Sequence, residues 1–254
     1  MATYLLVHGA FHGGWCWQRV TPLLAAAGHR VFAPSLLGLG DRADQLAPDV
    51  GLYTQVEELE RLIHADDLSD IVLVGHSYAG MVVTALADAV PGRISELVYL
   101  DTFVPRDGES VADIMGPMVE AFAAAALADG AGWRVPPQTA PGPDGDLYGV
   151  TEEPDLSWVA SMQTAQSLLT FREPLRLRDP AALAAIPVTH VHCAGGGPQF
   201  TALRAAALPR TYPPADAPAD RVLTLPTGHD AMITMPRELA DLLLALAPSP
   251  APIR

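Results

Sequence analysis

The chain has no lysine: all 15 of its basic residues are arginine. A lysine Schiff base is therefore excluded as a mechanism, and the arginine, alanine, glycine and proline usage fits the codon bias of a GC-rich genome. Positive charge is also scarce, and the formal net charge is -14 at pH 7. Phosphate recognition needs clustered cations and no Arg-rich run occurs, so a nucleic-acid partner and an anionic membrane surface are disfavoured. Cys16 and Cys193 are the only cysteines, too few for a disulfide framework, and are expected as reduced, buried thiols. No apolar run approaches a membrane span. Met1-Ala2-Thr3-Tyr4 enters a strand-like run with no basic segment or cleavage site, so a cytoplasmic location is expected.

What is present is apolar substance: half of the 254 residues are hydrophobic and only 17% are charged, enough for one domain with a large core. Short apolar runs alternate with helical patterns, the mark of parallel strands joined by crossover helices. Strands are expected at Tyr4–His8, Val31–Ala33, Ile71–Val74, Leu97–Leu100, Val188–Cys193 and Arg221–Leu225. Helices are expected at Cys16–Ala27, Tyr53–Ala65, Ser77–Val90, Phe200–Ala207 and Pro236–Leu246. From Pro105 to about Pro180 the alternation stops. A helix over Val111–Leu127, a Pro/Gly stretch over Pro136–Gly145 and a helix over Ser157–Thr170 fill the gap. Residues 1–104 and 180–254 thus read as one core, with residues 105–179 as a helical cap inserted into it.

Three segments carry chemistry. The run IVLV leads straight into Gly75-His76-Ser77-Tyr78-Ala79-Gly80 and then a helix, the strand-turn-helix setting of a nucleophile elbow, with Ala79 where the last glycine of G-x-S-x-G usually stands. Small residues at 75, 79 and 80 permit a sharp turn that lifts the Ser77 hydroxyl above the sheet. His8-Gly9-Ala10 ends the first strand, where the Ala10 N–H can join that of Tyr78 as an oxyanion hole. The side chains of His8, His12 and Trp15 are expected to be structural. His229, just after the last strand, returns to the same sheet edge as Ser77 and can serve as its general base. His190 and His192 share one face of a strand, but a metal site would need a third ligand that cannot be placed, so a packing or supporting role is expected.

The run Leu5 to Trp17 (LLVHGAFHGGWCW), the GHSYAG elbow and Gly228-His229-Asp230-Ala231-Met232 resemble the plant methylesterase and hydroxynitrile lyase branch of the α/β-hydrolases and its bacterial esterase relatives. The resemblance implies an α/β-hydrolase fold with a mostly parallel eight-stranded sheet and a helical cap after the sixth strand. It also implies a Ser-His-acid triad, no cofactor and no metal, and small ester or cyanohydrin substrates. The family's lyases carry a Lys directly after the catalytic His, or an Asn at the position of Gly9. Here Asp230 and Gly9 stand there, which favours hydrolysis.

The acid departs from the pattern. Relatives carry it in the loop after the penultimate strand, where Ala194 to Phe200 contains no carboxylate. Asp216 and Asp220 should emerge at the opposite sheet edge, and the Asp230 side chain should diverge from its neighbour His229. Asp101, directly after the strand LVYL, sits at the correct edge and is the chosen partner of His229, with a Ser-His dyad as the alternative. The leading function is serine-dependent hydrolysis of a small to medium apolar ester, with Phe11, Trp158, Met162 and Met232 lining the pocket. A cofactor-free lyase, cyclase or acyl-transfer enzyme acting on a bacterial natural product is the second reading, and a non-catalytic small-molecule receptor the third. The expected partner is a small-molecule substrate; the oligomeric state, a homodimer included, stays open.

Overall fold

In a computed structural model the described residues are 1–137, 148–195, 218 and 221–247. The strands β1 (Thr3–Val7), β2 (Arg30–Phe32), β3 (Ile71–His76) and β4 (Ile94–Leu100) come first. They are followed by the short pair β5 (Arg134–Val135) and β6 (Gln166–Ser167), and then by β7 (Val188–Cys193) and β8 (Val222–Leu225). Six of them form one sheet in the order β2-β1-β3-β4-β7-β8, every pairing parallel. The expected eight strands are thus six among the described residues, and the stretch that interrupts the alternation follows the fourth strand of the sheet rather than a sixth. The apolar runs of the chain nominate only these six; the larger number came from the resemblance alone.

Parallel strands buried on both faces show no polar alternation, and their residues sort by parity into two cores. Leu5, Val7, Ile71, Leu73, Leu97 and Tyr99 face one cluster; Tyr4, Leu6, Val72, Val74, Val98 and Leu100 face the other. The first cluster takes the apolar faces of α2 (Leu52–Ala65) and α3 (Ala79–Ala89), including Leu59, Ile63 and Val82. The second takes those of α1 (Thr21–Ala26) and the closing helix Pro236–Ala245, including Leu24, Leu239 and Leu243.

Several helices are shorter than their patterns. The stretch from Cys16 divides into a three-ten turn, Gly14–Trp17, and α1, which starts at Thr21 with a proline in its first turn. The Val111–Leu127 pattern breaks at Met115 (φ -128°, ψ 45°) into α4 (Val111–Ile114) and α5 (Gly116–Asp129), because Pro117 has no N–H to continue the ladder. The Ser157–Thr170 pattern becomes α6 (Asp155–Met162), β6 and α7 (Leu169–Arg172), since Gln166 and Ser167 pair antiparallel with β5. There tertiary pairing overrides local propensity. After them come α8 (Pro180–Ala184) and α9 (Ala231–Thr234), and the closing helix is α10. The expected helix Phe200–Ala207, residues 138–145 of the Pro/Gly stretch, and Asp216 and Asp220 lie outside the described residues. Among the described residues no helix is long and apolar enough to cross a membrane.

Strand order reverses direction between β1 and β3, so the loops after these two strands part above a crevice at the carboxyl edge. This is where an open parallel sheet binds its ligand. The ladder continues past the strand ends there: Ser77 N–H donates to Leu100 O (3.2 Å), Asp101 N–H to Val191 O (2.8 Å) and Ala194 N–H to Leu225 O (2.8 Å). Ser77 and Asp101 are thereby fixed on adjacent strand ends.

Candidate active site

The backbone turns sharply at Ser77, whose φ of +55° lies in the left-handed region, a conformation that a non-glycine residue keeps only when its surroundings impose it. Small neighbours make room for the turn. A Cβ on Gly75 would stand 2.5 Å from Val83 Cγ2 on α3, and one on Gly9 would stand 2.9 Å from both Ser77 Cβ and His76 Nδ1. The loop after β1 therefore passes directly beside the serine. The Ser77 carbonyl accepts from Gly80 N–H (3.0 Å) and from the Thr102 hydroxyl, and α3 departs from the turn with its amino terminus beneath the site.

His229 is buried in the loop between β8 and α9. Its Nδ1 lies 2.7 Å from Asp101 Oδ2. A carboxylate only accepts, so Nδ1 carries a proton, and in the neutral tautomer with that proton Nε2 is the basic nitrogen. Asp101, with φ +43°, is held by a further bond: its Oδ1 accepts Cys193 N–H at 2.9 Å. His192 Nδ1 is 3.5 Å from that same oxygen, which gives His192 a supporting place, while His190 stacks on Tyr99 at 5.5 Å. Asp230 indeed points away from His229, toward His12. Among the described residues no group of His, Cys, Asp and Glu could hold a metal ion.

The ring of His76, the residue before Ser77, lies 4.4 Å from that of His229, so the elbow and the loop carrying the base adjoin. Among the described residues neither Ala10 N–H nor Tyr78 N–H donates to a protein acceptor. Two such donors on adjoining loops are what an oxyanion requires. The next peptide is pinned instead: Phe11, at φ +63°, donates to Gln166 Oε1 at 2.9 Å and its carbonyl accepts Thr164 N–H at 2.9 Å. The segment between β4 and β7 thus grips the loop after β1.

Of the residues expected to line a pocket, Phe11 packs against Phe122 and Phe171 at 5.4 and 6.0 Å, near Tyr78, which meets Phe171 at 5.6 Å. Trp158 meets Trp15 at 5.1 Å and lies under the Arg19 guanidinium. Met162 is exposed, and Met232 is fully buried in the second core cluster. Four residues between β4 and β7 that carry no motif also reach the site: Phe122 and Phe171 pack on Phe11, Gln166 accepts from Phe11 N–H, and Tyr148 stacks on His229 at 6.3 Å. Their only signal was hydrophobicity or a single amide in a segment that carries no motif.

His8 and His76 are fully buried and driven down to about 3, chiefly by burial and further by neighbouring histidines. Geometry agrees for His8, whose Nδ1 faces the Gly9 carbonyl while Nε2 accepts Leu36 N–H, a neutral tautomer. Both folded values lie below the unfolded value of about 6.5, so between the two the unfolded chain binds protons that the folded chain refuses. Their contribution is intact above pH 6.5 and is lost as pH falls toward 3. Urea titrations are expected to show about 4 kcal/mol less stability at pH 5 than at pH 7 from this pair. A difference under about 1 kcal/mol would mean that the folded chain protonates them.

The alpha/beta hydrolase family matches residues 4–242. A carbendazim hydrolyzing esterase from Nocardioides sp. (strain SG-4G) is 35% identical over 271 residues, covering 97% of this chain and 100% of the relative. Methylesterase 2 of Arabidopsis thaliana is 38% identical over 104 residues, 40% of each chain. Among solved structures, an extracellular alpha/beta-hydrolase from a Paenibacillus species has a TM-score of 0.75 at 22% identity, covering 98% of this chain and 100% of the other. Tomato methylketone synthase I complexed with 2-tridecanone has a TM-score of 0.71 at 20% identity, covering 97% of each. At these identities the two structures share the fold with this chain and carry no statement about its substrate.

Proposed function

Because the chain belongs to the alpha/beta hydrolase family, we propose that it hydrolyses a small to medium, largely apolar carboxylic ester through an acyl-enzyme on Ser77. The observation that carries this reading is the 2.7 Å bond from His229 Nδ1 to Asp101 Oδ2 at the edge where Ser77 emerges. With Nδ1 committed to the carboxylate, Nε2 removes the Ser77 proton as Oγ bonds to the ester carbonyl carbon. The negative charge then moves to the carbonyl oxygen and is met by the Ala10 and Tyr78 amides. Collapse breaks the bond to the alcohol, which leaves with the proton from Nε2, and water releases the acid by the same steps in reverse order. The imidazolium that forms in each half is stabilised by Asp101.

Residues 105–179 act in this reading as a cap on a core made of 1–104 and 180–254. The aromatic group of Phe11, Phe122 and Phe171 supports an apolar acyl or alcohol moiety. Relatives named as esterases support the bond class. In this reading Asp101, just after β4, takes the place of the acid that Ala194 to Phe200 lacks, and its 2.7 Å contact with His229 supports hydrolysis over the non-hydrolytic alternative. Two buried free cysteines are in keeping with a cytoplasmic setting. A panel of p-nitrophenyl esters from acetate to octanoate should show turnover, and a fluorophosphonate should label Ser77 one-to-one with loss of activity. Absence of both would transfer the assignment to non-hydrolytic chemistry of the same fold.

A further inference from the structure

We infer that His12, held as an imidazolium on buried Asp230, is a positioning residue that ties the oxyanion loop after β1 to the loop carrying His229. The kinetic part of this inference rests on the ester-hydrolase reading; the charge state does not.

The ring of His12 is fully buried, with Nδ1 2.7 Å from the Ala10 carbonyl and Nε2 2.9 Å from Asp230 Oδ2. A carbonyl and a carboxylate both only accept, so both ring nitrogens must carry protons. Burial pushes the Asp230 carboxyl up, but the charge and hydrogen bond of His12 hold it below the usual carboxylate range. Among the described residues the other titratable groups facing the pair are His8, His76, His229, Cys16 and Tyr148, whose ring meets that of His12 edge-on. His8 and His76 are kept neutral and Cys16 is held protonated by burial. The uncharged Trp15 ring stacks on His12 at 5.1 Å.

What the pair holds is the peptide that follows the Ala10 donor. Its carbonyl is fixed by His12 and its N–H, on Phe11, by Gln166 at 2.9 Å. A peptide clamped at both poles cannot rotate, and the Ala10 N–H just before it keeps its direction. Asp230 is also the next residue after His229, and its own N–H donates to Tyr148 O at 3.0 Å. One charged pair therefore joins the two loops whose relative placement sets the distance from base to oxyanion hole. A neutral His12 has a single donor, so on its deprotonation one of the two bonds is lost and Asp230 is left buried without its counter-charge.

Imidazole 15N NMR on histidine-labelled protein reads the charge state with no substrate. One fully buried imidazolium is expected to persist at pH 8 and to vanish in His12→Gln or, should that variant not fold, to respond to Asp230→Asn. A neutral His12 at pH 8 overturns the inference whatever the protein hydrolyses. With the best aryl ester, His12→Gln is expected to lower kcat by about 10- to 100-fold with KM within threefold, since misplacement far smaller than a bond length is costly. Affinity for a trifluoromethyl ketone should fall by the same factor, and His12→Gln/Asp230→Asn should recover part of both. Unchanged kcat and unchanged ketone affinity in His12→Gln would overturn the positioning role. A wild-type chain with no turnover and no Ser77 label marks failure of the ester reading instead, and the NMR result still decides the pair.

Discussion

Ser77→Ala is expected to lower kcat on the best aryl ester by about 10⁶-fold while KM stays within a few-fold. In the proposed mechanism the hydroxyl oxygen forms the new bond, so its removal leaves His229 with no proton to take. What remains is rate enhancement from binding and from the two amides, about 10³–10⁴ over water. The turn itself should survive, because its shape is imposed by Gly75, Gly80 and Gly9 and by bonds to the Ser77 backbone, not by its Oγ. Thermal melts of the variant and the native chain should therefore agree within a few degrees. Turnover above about 1% of native in a clean preparation would place the nucleophile elsewhere.

Asp101→Asn is expected to cost about 10⁴-fold in kcat at neutral pH, again with little change in KM. The direction follows from the two bonds that Asp101 makes. Its Oδ1 accepts Cys193 N–H at 2.9 Å and its Oδ2 faces His229 Nδ1 at 2.7 Å. An asparagine must give its one carbonyl oxygen to the Cys193 N–H, which cannot accept anything itself, and so turns its NH2 toward Nδ1. The imidazole is then driven to carry its proton on Nε2, facing Ser77, where it cannot act as a base. Near-native turnover in this variant would show that the site works as a Ser-His dyad and that Asp101 is structural.

Most of the architecture is legible in the chain because parallel strands buried on both faces are unbroken apolar runs, as IVLV and LVYL are. Helix ends were less legible. Pro22 and Pro117 mark them plainly in hindsight, yet the apolar periodicity runs through both. The loss of helix at Gln166 has no local signal at all, because it depends on pairing with Arg134 and Val135 some thirty residues earlier. The serine and the histidine are readable from short motifs that have to be contiguous, since an elbow is a local turn. The acid is different: any residue at the carboxyl edge near His229 can supply it, so its position is a question of topology. Asp101 could be chosen because the edge to which each strand end leads follows from strand alternation. The contact between His12 and Asp230 is not legible in the sequence, because a pair 218 positions apart in the chain leaves no trace in local pattern.

The account turns on a covalent acyl-enzyme at Ser77, and rapid quench with peptide mass spectrometry tests it most directly. With a p-nitrophenyl ester in excess, a burst of one nitrophenol per chain is expected. Acid quench within the burst should leave the acyl mass on the peptide containing Ser77, and Ser77→Ala should show neither. Steady turnover with the acyl group on another residue, or on none while the burst is present, would contradict it.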